Sequence, residues 1–250
     1  MATKKNNNHD KTTHEEAPVT LEDNQFFGLA RTMNDEQRSF VDTMWRGARE
    51  GRIVFVEGKS GSGKTTLAVL LAMLAMQYGL ADRTYYIRAM GVGGEKKIGF
   101  LPGMTEKVKP YFVPAEQALI AGGLPPHRHI CYDGFTDDYL PEYPIICSGD
   151  GYLRGVNLGD AKDDKRAIVI VDEAQNLTVD GLRLILTRVF DNSLVVVMGH
   201  TAQIDLDDKE QSGFTAYIKH FRKRPDLMDY VKLNASMRGE IATWADEIDG

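Results

Sequence analysis

Apolar residues along this chain fall into blocks of two periods, separated by polar or glycine-rich stretches. Residues 1–20 hold no such block. Lys4-Lys5-Asn6-Asn7-Asn8-His9 and Lys11-Thr12-Thr13-His14-Glu15-Glu16 bury too little apolar surface to offset the entropy of ordering, which predicts a disordered polar tail with solvated histidines. Phe40, Val41, Met44, Trp45 and Ala48 then recur at helical spacing, behind a cap at Thr32 or Asn34 and an acidic first turn of Asp35 and Glu36. A short β-branched and aromatic run, Ile53-Val54-Phe55-Val56, stops near Gly58, and residues 64–78 are apolar nearly all round, which predicts a strand and a buried helix ended by Gly79. Residues 84–88 read as the next strand.

From residue 89 to about 158 the pattern is irregular and rich in glycine, with short helices expected at 105–109 and 114–121. A surface loop is expected at 127–143, then strand-like pieces at 143–147 and 151–158. Regular alternation returns with strands at 167–171, 194–198 and 228–233 and helices at 179–190, 213–222 and 236–248. Continuous apolar strands alternating with helices predict an α/β fold, a mainly parallel sheet covered by helices on both faces, with ligand chemistry at the strand C-termini. Residues 21–250 are expected to form one domain, carrying the loop-rich insertion at about 89–158.

Composition narrows this only modestly. The chain has 250 residues, 42% hydrophobic and 26% charged, an ordinary balance for a globular protein. A net charge of −6 argues against a large basic face and leaves room for a local groove or an oligomeric pore. Cys131 and Cys147 match no metal-ligand spacing, so reduced thiols are expected. No apolar run approaches the ~20 residues of a membrane span and no secretory signal is visible, so no membrane partner and a cytoplasmic location are expected.

The candidate chemistry centres on Gly58-Lys59-Ser60-Gly61-Ser62-Gly63-Lys64-Thr65-Thr66, a G-x-x-x-x-G-K-T loop that follows a strand and opens a helix. Its glycines let consecutive backbone N–H groups turn towards phosphate oxygens. Lys64 supplies a mobile charge for the β- and γ-phosphates, and the Thr65 hydroxyl suits Mg²⁺. Asp172 and Glu173 end the apolar strand at 167–171: Asp172 is placed to bind Mg²⁺ through water opposite Thr65, and Glu173 to polarise the attacking water. Gln203, after the strand at 194–198, is a candidate for the γ-phosphate or that water. Gln37 is a candidate adenine reader, because its amide offers one donor and one acceptor edge. Arg88, Arg154, Arg188 and Arg238 are candidates for phosphate or nucleic-acid contacts.

Beyond the loop, Gly99-Phe100-Leu101-Pro102-Gly103 with Glu106-Lys107-Val108, Pro110-Tyr111 and Pro114 resembles the signature of the PhoH family of P-loop ATPases, relatives of the superfamily 1 helicases. Arg154-Gly155, Val171-Asp172-Glu173-Ala174-Gln175-Asn176, Leu186-Thr187-Arg188, Gln203-Ile204-Asp205-Leu206 and Ser212-Gly213-Phe214 follow in the family's order. The resemblance covers roughly residue 34 to the end. It implies a RecA-like core that binds and hydrolyses ATP with Mg²⁺, RNA- or single-strand-directed helicase-type activity, and a homo-oligomer such as a hexameric ring. It also points to Arg238 as a finger acting across a subunit boundary, on a looser local match, and strengthens Gln37 as the adenine reader. There are departures: Gly199-His200 stands for the usual Gly-Asp, Ala89 for a proline, and Val156 for an arginine. Divergence of this kind in a compact chain is what a viral member would look like, and the segment before the ATPase is too short for the nuclease domain some relatives carry. Two alternatives stay open, a nucleotide-dependent switch or assembly ATPase acting on a protein partner, and a nucleotide kinase.

Overall fold

The computed structural model describes residues 16–21, 33–89, 109–132, 143–150, 153, 156–159, 166–206, 212–237, 239–241 and 244. Seven strands form one sheet: β1 (Ile53–Gly58), β2 (Arg83–Arg88), β3 (Ile130–Cys131), β4 (Ile145–Gly149), β5 (Ala167–Asp172), β6 (Leu194–Gly199) and β7 (Met228–Leu233). Their order is β3-β4-β2-β5-β6-β1-β7, and every pairing is parallel. Parallel neighbours need crossovers: α2 (Lys64–Gln77), α3 (Val113–Ala121), α4 (Val179–Leu186) and α5 (Gly213–Phe221) lie between successive strands, and α1 (Asp35–Glu50) precedes β1. The fold is therefore the RecA-like α/β arrangement expected, with β6 between the phosphate-loop strand β1 and the Asp-Glu strand β5.

Both faces are covered. Phe40, Met44 and Trp45 of α1, the continuous buried run Leu67–Ala75 of α2, and Ala115, Ala118 and Leu119 of α3 fill one face. Leu182 and Ile185 of α4 with Phe214 and Ile218 of α5 fill the other. The local signals explain where helices begin and end. Asn34 caps α1 in a reciprocal box with Gln37, Thr178 caps α4 through Gly181 N (3.1 Å), and α2 gives way at Gly79, whose φ is +69°.

Four expectations change. The surface loop at 127–143 contains a short 3-10 turn, Pro126–Arg128, and an edge strand, Ile130–Cys131, too brief to leave a periodic signal. The strand expected at 151–158 is not formed among its described residues. Val156 N bonds back to Leu153 O (3.2 Å), and Leu158 makes only an isolated parallel bridge to Val189. The helix expected to reach 190 stops at Leu186, because Thr187 Oγ1 donates to Arg183 O (2.8 Å) and Arg188 turns its guanidinium back onto Leu184 O (2.6 Å). Residues at the end of the expected polar tail lie on α1, where Pro18 O accepts from the Trp45 indole N–H (2.9 Å), a donor that burial leaves in need of a partner. The expected helix at 105–109, apart from Lys109, the signature around Gly99 and most of the expected helix at 236–248 fall outside the described residues.

Candidate functional site

The phosphate loop leaves β1 and curls at Gly61 (φ +76°) and Gly63 (φ +88°), a backbone region that disfavours any side chain. A Cβ on Gly63 would also lie 2.9 Å from the Gln37 amide nitrogen. Gly63 is the N-cap of α2 and no side chain caps the helix, so its first N–H groups remain available to an anion. Lys64 Nζ folds over the loop, donating to Gly58 O (2.5 Å) and Lys59 O (2.9 Å).

The loop is braced from outside by both neighbouring segments. Gln37 Nε2 donates to Ser62 O (2.9 Å), while Gln37 Oε1 accepts from Asn34 N (3.1 Å). Glu36 accepts from Asn234 N (2.7 Å), Asn234 Nδ2 (2.8 Å) and Ala235 N (3.2 Å), and the Asn234 contacts hold its carboxyl below the usual range. Met237 N then donates to Gly61 O (2.9 Å). Gln37 is thus a buried strut between α1 and the loop, with one amide N–H and one lone pair still uncommitted by these contacts.

Across from the loop, β5 delivers Asp172, which is 3% exposed. Its Oδ2 accepts from Thr65 Oγ1 (3.1 Å) and from the buried Tyr86 hydroxyl of β2 (2.5 Å), and its Oδ1 accepts from Glu173 N (3.0 Å). Burial first, then the Asp172 charge and hydrogen bond, push the Tyr86 phenol well above its ordinary value, so it stays a donor. Glu173 sits in the left-handed region (φ 54°, ψ 37°), among the described non-glycine residues the one case of positive φ. Such a conformation costs on the order of 1–3 kcal/mol and persists only where surrounding contacts enforce it. Here Gln175 Nε2 donates to Glu173 Oε2 (2.7 Å), and Arg88 lies 3.8 Å from Oε1.

Gln175 extends the network to β6, because its Oε1 accepts from His200 N (3.1 Å). Asn176 pins the following loop through Asp205 N (2.8 Å). Gln203 is exposed on that loop and shares with Arg88, Tyr111 and Glu173 a polar cleft of about 640 Å³. Beside it, Thr201 Oγ1 donates to Glu57 Oε1 (2.8 Å), and Tyr230 OH donates to Glu57 Oε2 (2.5 Å). Burial pushes the Glu57 carboxyl up, but those hydroxyls and the Lys232 and His200 charges outweigh it and hold the group below the usual range.

At the C-terminal ends of the strands Thr65 therefore meets Asp172 and Glu173 shares a cleft with Gln203, while Lys64 folds over the phosphate loop and Gln37 lies against it. Arg238 and Arg154 lie outside the described residues. Arg188 is tied to Leu153 O (2.6 Å) and Leu184 O (2.6 Å), so it braces the backbone instead of facing the cleft. Sequence reasoning missed Tyr86, Gln175, Tyr230 and Glu57. Of these, Glu57 left a signal as a carboxylate closing an apolar run directly before Gly58, and Gln175 as part of the motif Val171-Asp172-Glu173-Ala174-Gln175-Asn176.

A magnesium ion has suitable partners here. Thr65 and Asp172 offer hard oxygen donors to one point, and Mg²⁺ commonly uses one or two carboxylates plus substrate phosphates. Among the described residues no cluster of three or more His, Cys, Asp or Glu offers a self-sufficient metal cage. Among them, too, no helix is long and apolar enough to cross a membrane.

Comparison with known proteins agrees with the motifs. Residues 30–248 match the family model described as PhoH-like protein. The chain is 34% identical over 195 residues to a PhoH-like protein of Mycobacterium leprae, covering 75% of this chain and 48% of the relative. It is 34% identical over 199 residues to a PhoH-like protein of Bacillus subtilis, covering 79% and 56%. Protein PhoH of Escherichia coli K12 is 29% identical over 174 residues, covering 69% and 45%. The chain thus spans about half the length of the relatives it matches. Among solved structures, a Bacteroides Pif1 in complex with ADP-AlF4 aligns with 85% of this chain and 44% of its own at 17% identity and a TM-score of 0.36. With the phosphate loop, the Asp-Glu strand end and a match over nearly its whole length, this chain belongs to the PhoH-like protein family.

Proposed function

We propose that the chain hydrolyses ATP with Mg²⁺ and couples that reaction to binding RNA or single-stranded nucleic acid, as a homo-oligomer that can close into a ring. The observation that carries this reading is the meeting of Thr65 Oγ1 with Asp172 Oδ2 at 3.1 Å, with Glu173 held beside them in a strained backbone conformation. The open N-terminus of α2 and the loop N–H groups of Ser60, Gly61 and Thr66 cradle the phosphates, Lys59 N and Ser62 N being held by Leu233 O (3.3 Å) and Lys59 O (3.2 Å), and Lys64 leaves its loop carbonyls to neutralise the β- and γ-oxygens. Thr65 and Asp172 would hold the magnesium ion, which would supply charge neutralisation for the phosphates. Tyr86 fixes the Asp172 carboxylate. Glu173, oriented by Gln175, accepts the proton of the attacking water. Gln203, in the same cleft, contacts the γ-phosphate or that water, and Gln37 uses its remaining donor and acceptor capacity towards adenine. Arg238 acts as a finger on a neighbouring subunit's nucleotide.

The test is the ATPase rate with and without RNA and single-stranded DNA. Severalfold stimulation is expected, and Glu173→Gln should lower the stimulated rate by about 10²–10⁴-fold while nucleotide still binds. Hydrolysis unaffected by either polymer would sink the nucleic-acid coupling and leave the nucleotide-dependent switch on a protein partner, which the net charge of −6 favours. Native mass measurement with ATP should show an oligomer, and a monomer under every nucleotide condition would remove the trans role of Arg238.

A further inference from the structure

The most basic run of this acidic chain leads to the end of the sheet away from the phosphate loop. Lys219, His220, Arg222, Lys223 and Arg224 follow one another where α5 ends, and all are exposed. The turn that follows carries them to the sheet edge opposite the phosphate loop: Leu227 O accepts from Ile53 N (2.9 Å), the first residue of β1. β1 has six residues, so this edge lies roughly 17 Å from Gly58, about two Debye lengths at physiological salt.

Structural needs account for part of this charge. Cations in the last turn of a helix complement its dipole, which covers Lys219 and His220. Arg224 pairs with Asp226 (2.6 Å) on the surface. On the same edge, Asp229 takes both Arg46 (2.7 Å) and Arg52 (2.7 Å). Among the described residues this leaves Arg222 and Lys223, past the helix end, and Lys219 with no carboxylate partner. The cations are also interleaved with rings. Tyr217 and Phe221 stack with centroids 6.2 Å apart, His220 meets Phe221 edge-on at 5.8 Å, and the Arg222 guanidinium lies 5.1 Å over Tyr230. Unneutralised cations alternating with partly buried aromatic rings, Phe221 anchored on Phe55 at 5.8 Å, match what a single strand presents, phosphates in file with bases that stack. An anionic lipid surface would use the charge but not the rings.

We propose that the basic end of α5 is a docking surface for single-stranded nucleic acid, separate from the nucleotide site and independent of whether hydrolysis is coupled to it. Lys219 and Lys223 contact phosphates, and Tyr217 with Phe221 offers the stacking face.

The test is the double variant Lys219→Glu/Lys223→Glu, read by fluorescence anisotropy of a labelled single-stranded RNA without nucleotide over a salt series. Each phosphate contact on a single strand contributes about 0.7 to the slope of log K against log salt, so losing two should flatten it by about 1.4. Affinity near 0.1 M salt should fall about tenfold or more. Binding of a fluorescent ATP analogue and the thermal melt should be unchanged, which separates this surface from the nucleotide site. The exposed pair Arg128→Glu/Arg183→Glu, with the same change of net charge, is the control. Three results would overturn the proposal: affinity and slope no lower than in that control, no RNA binding by the wild type, or stronger binding to phosphatidylserine vesicles than to RNA that the double variant abolishes.

Discussion

Two carboxylates flank the phosphate loop on opposite faces of the sheet, and the same construction holds both. Asp172 takes a tyrosine hydroxyl from the neighbouring strand at 2.5 Å and a threonine hydroxyl from the loop that opens α2 at 3.1 Å. Glu57 takes a tyrosine hydroxyl from its own neighbouring strand at 2.5 Å and a threonine hydroxyl from the loop after β6 at 2.8 Å. Even the register is shared: Tyr86 pairs with Ile170 and reaches the carboxylate two residues on, as Tyr230 pairs with Phe55 and reaches Glu57. Side chains at i and i+2 share a face, so each tyrosine spans one repeat of the pleat. What differs is the surroundings. Asp172 is enclosed on the α2 face, whereas Glu57 is half-buried, with Lys232 and His200 near enough to lower its pKa. One design thus serves a carboxylate kept dry for a metal ion and another that ties three segments together: β1, β7 and the Gln203 loop.

Breaking the carboxylates separates the two most strongly. Asp172→Asn should lower the Mg²⁺-dependent ATPase kcat by about 10²–10³-fold, measured as phosphate release at saturating ATP. Glu57→Gln keeps the shape and should stay within about tenfold of wild type. Equal losses would erase the distinction. Next come the tyrosines. Tyr86→Phe removes a donor from an enclosed charged acceptor and should cost about 1–3 kcal/mol in urea unfolding, while Tyr230→Phe, where water can substitute, should cost about 0.5–1.5 kcal/mol. The reverse order would mean that burial does not set the difference.

The pH dependence gives finer contrasts. Because the Glu57 carboxyl is lowered in the fold, its contribution is complete above its unfolded value of about 4.5 and is lost as pH falls through the lower folded value. Between those two values, stability in Glu57→Gln should fall less steeply than in the wild type, as followed by acid unfolding. At the alkaline end burial, then the Glu57 hydrogen bond, push Tyr230 up to about 12, so the stability it brings is present below 10.0 and lost as pH rises through about 12. In an ultraviolet phenolate titration, one late-titrating tyrosine should disappear in Tyr230→Phe. The smallest effect is expected for Thr201→Ala, which removes one hydroxyl from Glu57 and should alter the melt by no more than about 1 kcal/mol.

The same pair shows what the sequence made legible. Asp172 was readable because an apolar strand ending in Asp-Glu downstream of a phosphate loop is a local pattern with a known mechanism. Tyr86 and Tyr230 were not, since each finds its carboxylate across a strand boundary, and which strands are neighbours is fixed by crossovers rather than by nearby residues. Gln175 stands in the motif after Glu173, but its part as a tie shows only where the end of β6 brings His200 N to its oxygen. Strands and helices with long apolar runs were found to within a few residues. Ile130–Cys131 was too short to show a period, and α4 ended early because Thr187 and Arg188 cap it with side-chain bonds. Gln37 was singled out for its amide, but its place in the capping box and its bond to Ser62 O depended on how α1 docks.

The position of β1 also bears on how the protein is made. The strand that carries the phosphate loop lies between β6 and β7, and Tyr230 follows Glu57 by 173 residues. At roughly 5–20 residues per second on the ribosome, β1 emerges about 9–35 s before its second neighbour is complete. Through most of that interval an apolar strand must be shielded from other nascent chains, and β1 gains both of its neighbours only once β7 has emerged. A ribosome stalled before β7 should therefore display a chain that recruits chaperones.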